Sequence, residues 1–243
     1  MVAVAFIAGL WTASRRCLRE GIAPEKIIDI GPWLIIGAIL GARTLYVVSY
    51  WREEFADKPF YEVFMVQHGG LVFYGGLIGS SLACILYARL KKIPLWKLAD
   101  ILAPSVALGY VFGRIGCLMN GCCYGRACTL PWAISFPANN PLHPPTTPVH
   151  PTQVYESLLN LGLYAGLAWL YRRKKFDGQV FAVYLVCYAL LRSFVEMFRG
   201  DYPVRKILGG WITPAHLVSI GILLVGLCLF WVLRRAAPTR AGS

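Results

Sequence analysis

The chain has 243 residues, of which 57% are apolar or aromatic and 15% charged, with a mean hydropathy of +0.56. A soluble globular domain carries about a quarter charged residues, so this composition excludes a disordered or collagen-like chain and a nucleic-acid-binding domain. Apolar runs near bilayer length exclude a soluble enzyme as well. The net charge of +12, from 24 Lys+Arg against 12 Asp+Glu, gathers at the ends of apolar blocks, which is a membrane-topology signal rather than a nucleic-acid one.

Seven apolar segments follow in order, at about 2–14, 28–50, 71–90, 98–118, 153–171, 179–198 and 213–233. The first is short. Its helix would reach about 20 Å against a hydrocarbon core of about 30 Å, so the chain is expected to begin part-way through a longer first helix. With no basic stretch ahead of it, this segment does not read as a signal peptide. The connecting loops alternate in charge: 15 basic residues follow the first, third, fifth and seventh segments, and six lie in the opposite loops. The positive-inside rule then places the C-terminus in the cytoplasm and the N-terminus outside, in agreement with seven crossings. The expected fold is one all-α polytopic membrane bundle over residues 1–243. A Cys- and Pro-rich periplasmic loop is expected at about 119–152, where seven prolines exclude regular helix.

The three basic residues that remain outside these loop groups, Arg43, Arg114 and Arg192, sit in or near the apolar segments. A charge at mid-bilayer costs roughly 2.5–3.5 kcal/mol on insertion scales and normally faces a bundle interior or aqueous cavity. The alternative is snorkelling from a helix end. Tyr188, Arg192, Glu196 and Arg199 fall at i, i+4, i+8 and i+11, one polar stripe on an apolar helix. It reads either as a buried packing pair or as an Arg oriented by Glu196 to bind a phosphate-like anion. Glycines crowd two regions, Gly69–Gly79 and Gly113–Gly125. The first suits either helix packing or close ligand approach, and the second resembles a broken helix end facing a cavity.

The stretch His150–Glu156 opens the fifth apolar segment, with Thr152 a candidate N-cap and Glu156 in the first turns, where the helix dipole favours an anion. His150 reads as part of that local cap or as a catalytic group. Cys117, Cys122, Cys123 and Cys128 lie within twelve residues. Their spacing is not the C-x2-C of zinc sites, and disulfides, free thiols and metal ligation all stay open.

Taken together, these elements resemble the prolipoprotein diacylglyceryl transferase family over most of the chain. Gly41-Ala42-Arg43 with Tyr46 is similar to its Gly-Gly-Arg element, and residues 69–79 to its Gly-Gly-x-x-Phe-His-Gly-Gly element. Asp100 with Ala103-Pro104 precedes the signature, which runs through Gly113-Arg114-Ile115-Gly116 and Asn120-Gly121 to Gly125-Arg126. The stretches 150–156 and 192–199 complete the order. The family usually carries His at the position of Tyr74, commonly Asn at that of Cys117 and Glu at that of Cys122. Its Tyr-containing stretch near the outer end of the first helix would fall before Met1.

The resemblance implies transfer of the diacylglyceryl group of phosphatidylglycerol to the lipobox cysteine of a prolipoprotein, in the bacterial inner membrane. A thioether forms and glycerol phosphate leaves. The partners implied are phosphatidylglycerol, prolipoprotein signal peptides and membrane lipid, with no nucleic acid, metal or organic cofactor. Arg114, Arg192 and Tyr74 take the catalytic places. Arg43, Asn120, Gly125, His150, Tyr188, Glu196 and Arg199 take substrate-binding ones. Two other classes fit the residues less well: a lipid- or signal-peptide-binding relative without catalysis, and an anion transporter, against which no inverted repeat is found.

Overall fold

The computed structural model describes residues 1–56, 59–137, 146–200 and 213–237. All seven apolar segments are helical. They form α1 (Val2–Cys17), the consecutive α2 (Pro24–Ile28) and α3 (Ile30–Ser49), α4 (Phe73–Leu90), α5 (Leu95–Asn120), α6 (Thr152–Arg173), α7 (Gln179–Glu196) and α8 (Pro214–Ala236). Short 3-10 helices and one π-helical turn, Trp51–Phe55, lie between them, and among the described residues the β structure is limited to isolated bridges, so the chain is an all-α membrane bundle. Among the described residues, five helical stretches are long and apolar enough to cross a bilayer: Pro24–Ser49, Phe73–Leu90, Leu95–Asn120, Gln179–Glu196 and Pro214–Ala236. The other two fall short for different reasons. Helix α1 has 16 residues. Helix α6 has 22, but its Gln153, Glu156, Ser157 and Asn160 are polar and all buried. Large apolar side chains such as Leu82, Leu86, Leu224 and Trp231 point outward, as they do when lipid is the solvent and only polar groups need the interior.

The chain divides into two compact units, Ser14–Leu98 and a second formed by Met1–Ala13 with the described residues from Ala99 onward. In the first, α3 and α4 pack through glycines. A Cβ on Gly37 would lie 2.7 Å from the Gly79 carbonyl oxygen, and one on Gly41 would lie 2.8 Å from Gly79 Cα. Without an apolar driving force between helices in lipid, such close backbone approach is what small residues make possible. The helix-packing reading therefore holds for Gly75 and Gly79. Gly69 and Gly70 serve differently: both have left-handed φ, at 85° and 74°, and they turn the chain into α4.

In the second unit, fully buried Asp100 organises one end of the helices. Its carboxylate accepts from Lys174 Nζ at 3.0 Å, Gly178 N at 2.9 Å and Phe181 N at 3.0 Å. It thereby satisfies an amide that opens α7, one of the groups a helix start leaves without an internal partner. Ser105 Oγ of α5 donates to the Gly9 carbonyl of α1 at 2.7 Å. Gly226 lets α8 approach Leu185 and Val186 of α7, where an added Cβ would meet side-chain atoms at 3.0 Å.

The connection from α5 to α6 contains no helix among its described residues, as its prolines require. Backbone pairs hold it: Gly125 N donates to His150 O and His150 N to Arg126 O, both at 2.9 Å, and Arg126 N to Phe198 O at 2.8 Å. The start of α6 corrects one expectation. Thr152 is not the N-cap; Pro151 precedes the helix without a side-chain cap. The buried Thr152 hydroxyl instead donates to the Cys123 carbonyl at 2.7 Å, so a tertiary partner takes the group that local geometry would have used.

Candidate active site

Arg114 lies on α5 about two turns before its end. Its Nε is ion-paired with Glu156 Oε2 of α6, and a terminal guanidinium nitrogen donates to Tyr110 Oη at 2.6 Å. The guanidinium also lies 4.9 Å from the Tyr110 ring centroid, within cation–π range. On α7, Arg192 Nη1 donates to Glu196 Oε2 at 2.6 Å, the i, i+4 pairing that the stripe predicts. Glu196 Oε1 in turn accepts from Thr213 Oγ1 at 3.2 Å, and that hydroxyl lies 2.8 Å from His216 Nδ1. Each buried carboxylate thus holds one arginine, the arrangement that offsets the cost of taking charges out of water.

Between these pairs lies a narrow cleft lined by Tyr110, Glu156, Asn160, Tyr188 and Arg192 with apolar neighbours. The Tyr110 and Tyr188 rings meet edge-on with centroids 5.9 Å apart. Three buried acceptors on α6 have no hydrogen-bond partner: Gln153 Oε1, Glu156 Oε1 and Asn160 Oδ1. Buried acceptors are nearly always satisfied. Two of these three belong to residues of the cleft wall.

The other residues picked out in the sequence are placed as follows. Gly125 is buried and bridges to Arg199. A Cβ there would lie 2.6 Å from the His150 Cβ and from the Phe198 carbonyl oxygen. Arg199 is buried and near enough to Glu156 to act on it electrostatically. His150 Nδ1 lies 3.3 Å from Tyr155 Oη, and its ring packs against Phe198 with centroids 5.4 Å apart. Asn120 ends α5 and is exposed.

Arg43 and Tyr74 belong to the Ser14–Leu98 unit. Arg43 is buried, and its donors go to backbone carbonyls: Nε to Val63 at 2.8 Å, Nη1 to Gly69 at 2.6 Å, and Nη2 to Glu62 at 2.7 Å. It neither snorkels nor points its fork at a carboxylate; it fastens the 59–70 connection to α3. Tyr74 sits in the first turn of α4, is 56% exposed and packs edge-on against Phe73 at 5.9 Å.

Sequence reasoning missed Tyr110 and the lining role of α6. Both carried a signal. Tyr110 precedes Arg114 by four residues, the spacing that stacks side chains on one helix face. Gln153, Glu156, Ser157 and Asn160 repeat at i, i+3, i+4 and i+7, a polar stripe of the same kind as the one read on α7.

The family model "Prolipoprotein diacylglyceryl transferase" matches residues 1–232. The chain is 36% identical over 249 residues to the phosphatidylglycerol–prolipoprotein diacylglyceryl transferase of Synechococcus elongatus, covering 98% of this chain and 84% of that protein. It is 35% identical over 257 residues to the enzyme of that name from Rhizobium meliloti, covering 99% and 89%. Against the one from Sinorhizobium medicae the identity is 38% over 223 residues, covering 90% and 76%. The chain belongs to the prolipoprotein diacylglyceryl transferase family. It is a transferase of lipoprotein biosynthesis and a multi-pass protein of the bacterial inner membrane.

Proposed function

We propose that this chain transfers the diacylglyceryl group of phosphatidylglycerol to the lipobox cysteine thiol of prolipoproteins. The observation that carries the reading is the cleft with Arg192 in its wall and the Arg114-bound Glu156 beside it. The substrate thiolate attacks the glyceryl methylene carbon that bears the phosphate oxygen. A C–S bond forms, the C–O bond breaks, and glycerol phosphate leaves with the bonding pair. The thiol proton is lost to solvent as the thiolate forms. Phosphate charge rises by one unit as the diester becomes a monoester. Cationic donors aimed at that oxygen lower the barrier because they interact more strongly with the leaving group than with the bound lipid.

In this scheme Arg114 and Arg192 hold the phosphate and stabilise the charge that develops on it. Glu156 and Glu196 keep their guanidinium planes oriented. The unpartnered oxygens of Glu156 and Asn160 suit the hydroxyls of the glycerol headgroup, which are donors where phosphate is an acceptor. Tyr188 lines the same cleft. Arg199, Gly125, His150 and Asn120 shape the approach to it and contact substrate. Arg43 contributes by ordering the connection that leads to Tyr74. Tyr74 orients a reacting group by hydrogen bonding, its hydroxyl serving as donor or acceptor. Nearby guanidinium charge favours the thiolate form of the incoming cysteine.

The membrane arrangement that goes with this reading is one domain crossing seven times, with α1 and α6 completing the five long apolar spans. The N-terminus and the loop near 119–152 lie outside and the C-terminus in the cytoplasm, as the 15 basic residues of the alternate loops favour.

The test is transfer itself. Purified protein is incubated with labelled phosphatidylglycerol and a lipobox peptide, and the thioether product is sought by mass spectrometry. Product that vanishes when the peptide cysteine becomes serine supports the reading. Intact lipid and unmodified peptide after long incubation with folded protein would refute it.

A further inference from the structure

Cys117, Cys122 and Cys123 have no role in the transfer scheme, yet the fold draws them together. The end of α5 closes with two backbone bonds: Gly121 N donates to Leu118 O at 3.2 Å, and Cys122 N to Cys117 O at 3.1 Å. Gly121 takes left-handed φ at 68°. This is the Schellman pattern, in which the residue two past the helix cap lies against the one that accepts its amide bond. The motif therefore sets Cys122 over Cys117. Cys123 is itself left-handed at φ 64°, an uncommon conformation for a residue with a side chain. It turns the next thiol back toward the same point. The three sulfurs all lie within 4.8 Å of one another, and no disulfide joins them. The fourth cysteine of the sequence group, Cys128, is not one of this set; its amide pairs with Pro148 O at 2.9 Å.

We propose that Cys117, Cys122 and Cys123 form a three-thiolate site for a thiophilic ion of the Zn(II) class. Zinc–sulfur bonds of about 2.3 Å put bound sulfurs roughly 3.7–4.0 Å apart, so closing the site takes less than about 1 Å of movement. The chemistry balances without a redox partner: three thiols lose three protons to solvent and the ion takes their place. A disulfide would use only two of the sulfurs and would need an oxidant to remove two electrons. Three thiolates on a divalent ion leave one negative charge. Arg114 acts electrostatically on both Cys117 and Cys123 and offsets it. The fourth coordination position is left for water or another small donor. The ion staples the end of α5 to the start of the following loop, which through the Cys123 carbonyl also anchors Thr152 of α6. No step of the transfer runs through it.

The experiment is a Co(II) titration of the reduced, full-length protein in detergent. Expected is a thiolate-to-cobalt charge-transfer band that saturates at one ion per chain, disappears on adding Zn(II), and is lost in Cys117→Ser and in Cys122→Ser. It should persist unchanged in Cys128→Ser and Cys228→Ser. Absence of the band in wild type, or its survival in the Cys117→Ser/Cys122→Ser double variant, overturns the proposal. So does a disulfide between two of these three cysteines, mapped by mass spectrometry of the unreduced protein as purified. Should a serine variant fail to fold, the wild-type band and its saturation point decide alone. Neither readout depends on transfer activity, so failure here leaves the proposed reaction untouched.

Discussion

Arg43 and Arg114 are both arginines within apolar helices, and their surroundings differ in kind. Arg43 is held by neutral backbone carbonyls from Glu62 to Gly70, and its fork is largely occupied. Arg114 meets a carboxylate and a phenol beside a cleft, and Arg192 repeats the pattern with Glu196 in the cleft wall. A buried guanidinium presenting donors to carbonyls fastens backbone. One held from the side by a carboxylate keeps its plane fixed while part of the fork still faces open space. Insertion cost alone makes the three equal candidates; the partners separate them.

That contrast is sharpest in turnover. Arg192→Ala and Arg114→Ala are each expected to lower transfer by at least about 100-fold, the scale of losing a charge-stabilising donor, while the protein still inserts in the membrane. Arg43→Gln is expected to cost less activity and instead to loosen the 59–70 connection, read as faster amide exchange there. Normal turnover in both alanine variants would break the assignment. A larger loss from Arg43→Gln than from Arg192→Ala would reverse it.

Glycine packing gives the next effect. Gly41→Val places branched carbons where Gly75 and Gly79 backbone atoms lie and is expected to cost about 1–3 kcal/mol, seen as a lower thermal midpoint in detergent. Gly162→Ala, whose added carbon meets nothing within 4 Å, should leave that midpoint unchanged. Asp100→Asn weakens the hold on Lys174 and on the α7 amides. A loss of about 1–3 kcal/mol is expected, again by thermal unfolding, with the lipid-binding step unaffected. The smallest change is Tyr74→Phe: removal of one neutral hydrogen bond, worth about 1 kcal/mol, is expected to slow transfer about fivefold. Abolished transfer would make the hydroxyl indispensable, and full activity would remove it from the reaction.

Composition, apolar run length and the placement of basic residues determined an all-helical membrane protein, because lipid leaves the backbone no other way to satisfy its polar groups. The helical spacing of Tyr188, Arg192, Glu196 and Arg199 determined the Arg192–Glu196 pair, since both partners lie on one helix and need no tertiary contact to meet. The order of motifs from Gly41 to Arg199 determined the family. What a single helix could not reveal was which partner reaches Arg114 from 42 residues away, why Arg43 ends among carbonyls, or that Thr152 gives its hydroxyl to Cys123. Nor does spacing alone distinguish the glycines that pack helices from those that turn the chain. Those outcomes depend on which faces of separate helices come together, and tertiary packing alone decides that. The cysteine triad lies between the two cases: the helix-end motif at Gly121 is local, while the left-handed turn at Cys123 that completes the set appears only in the folded chain.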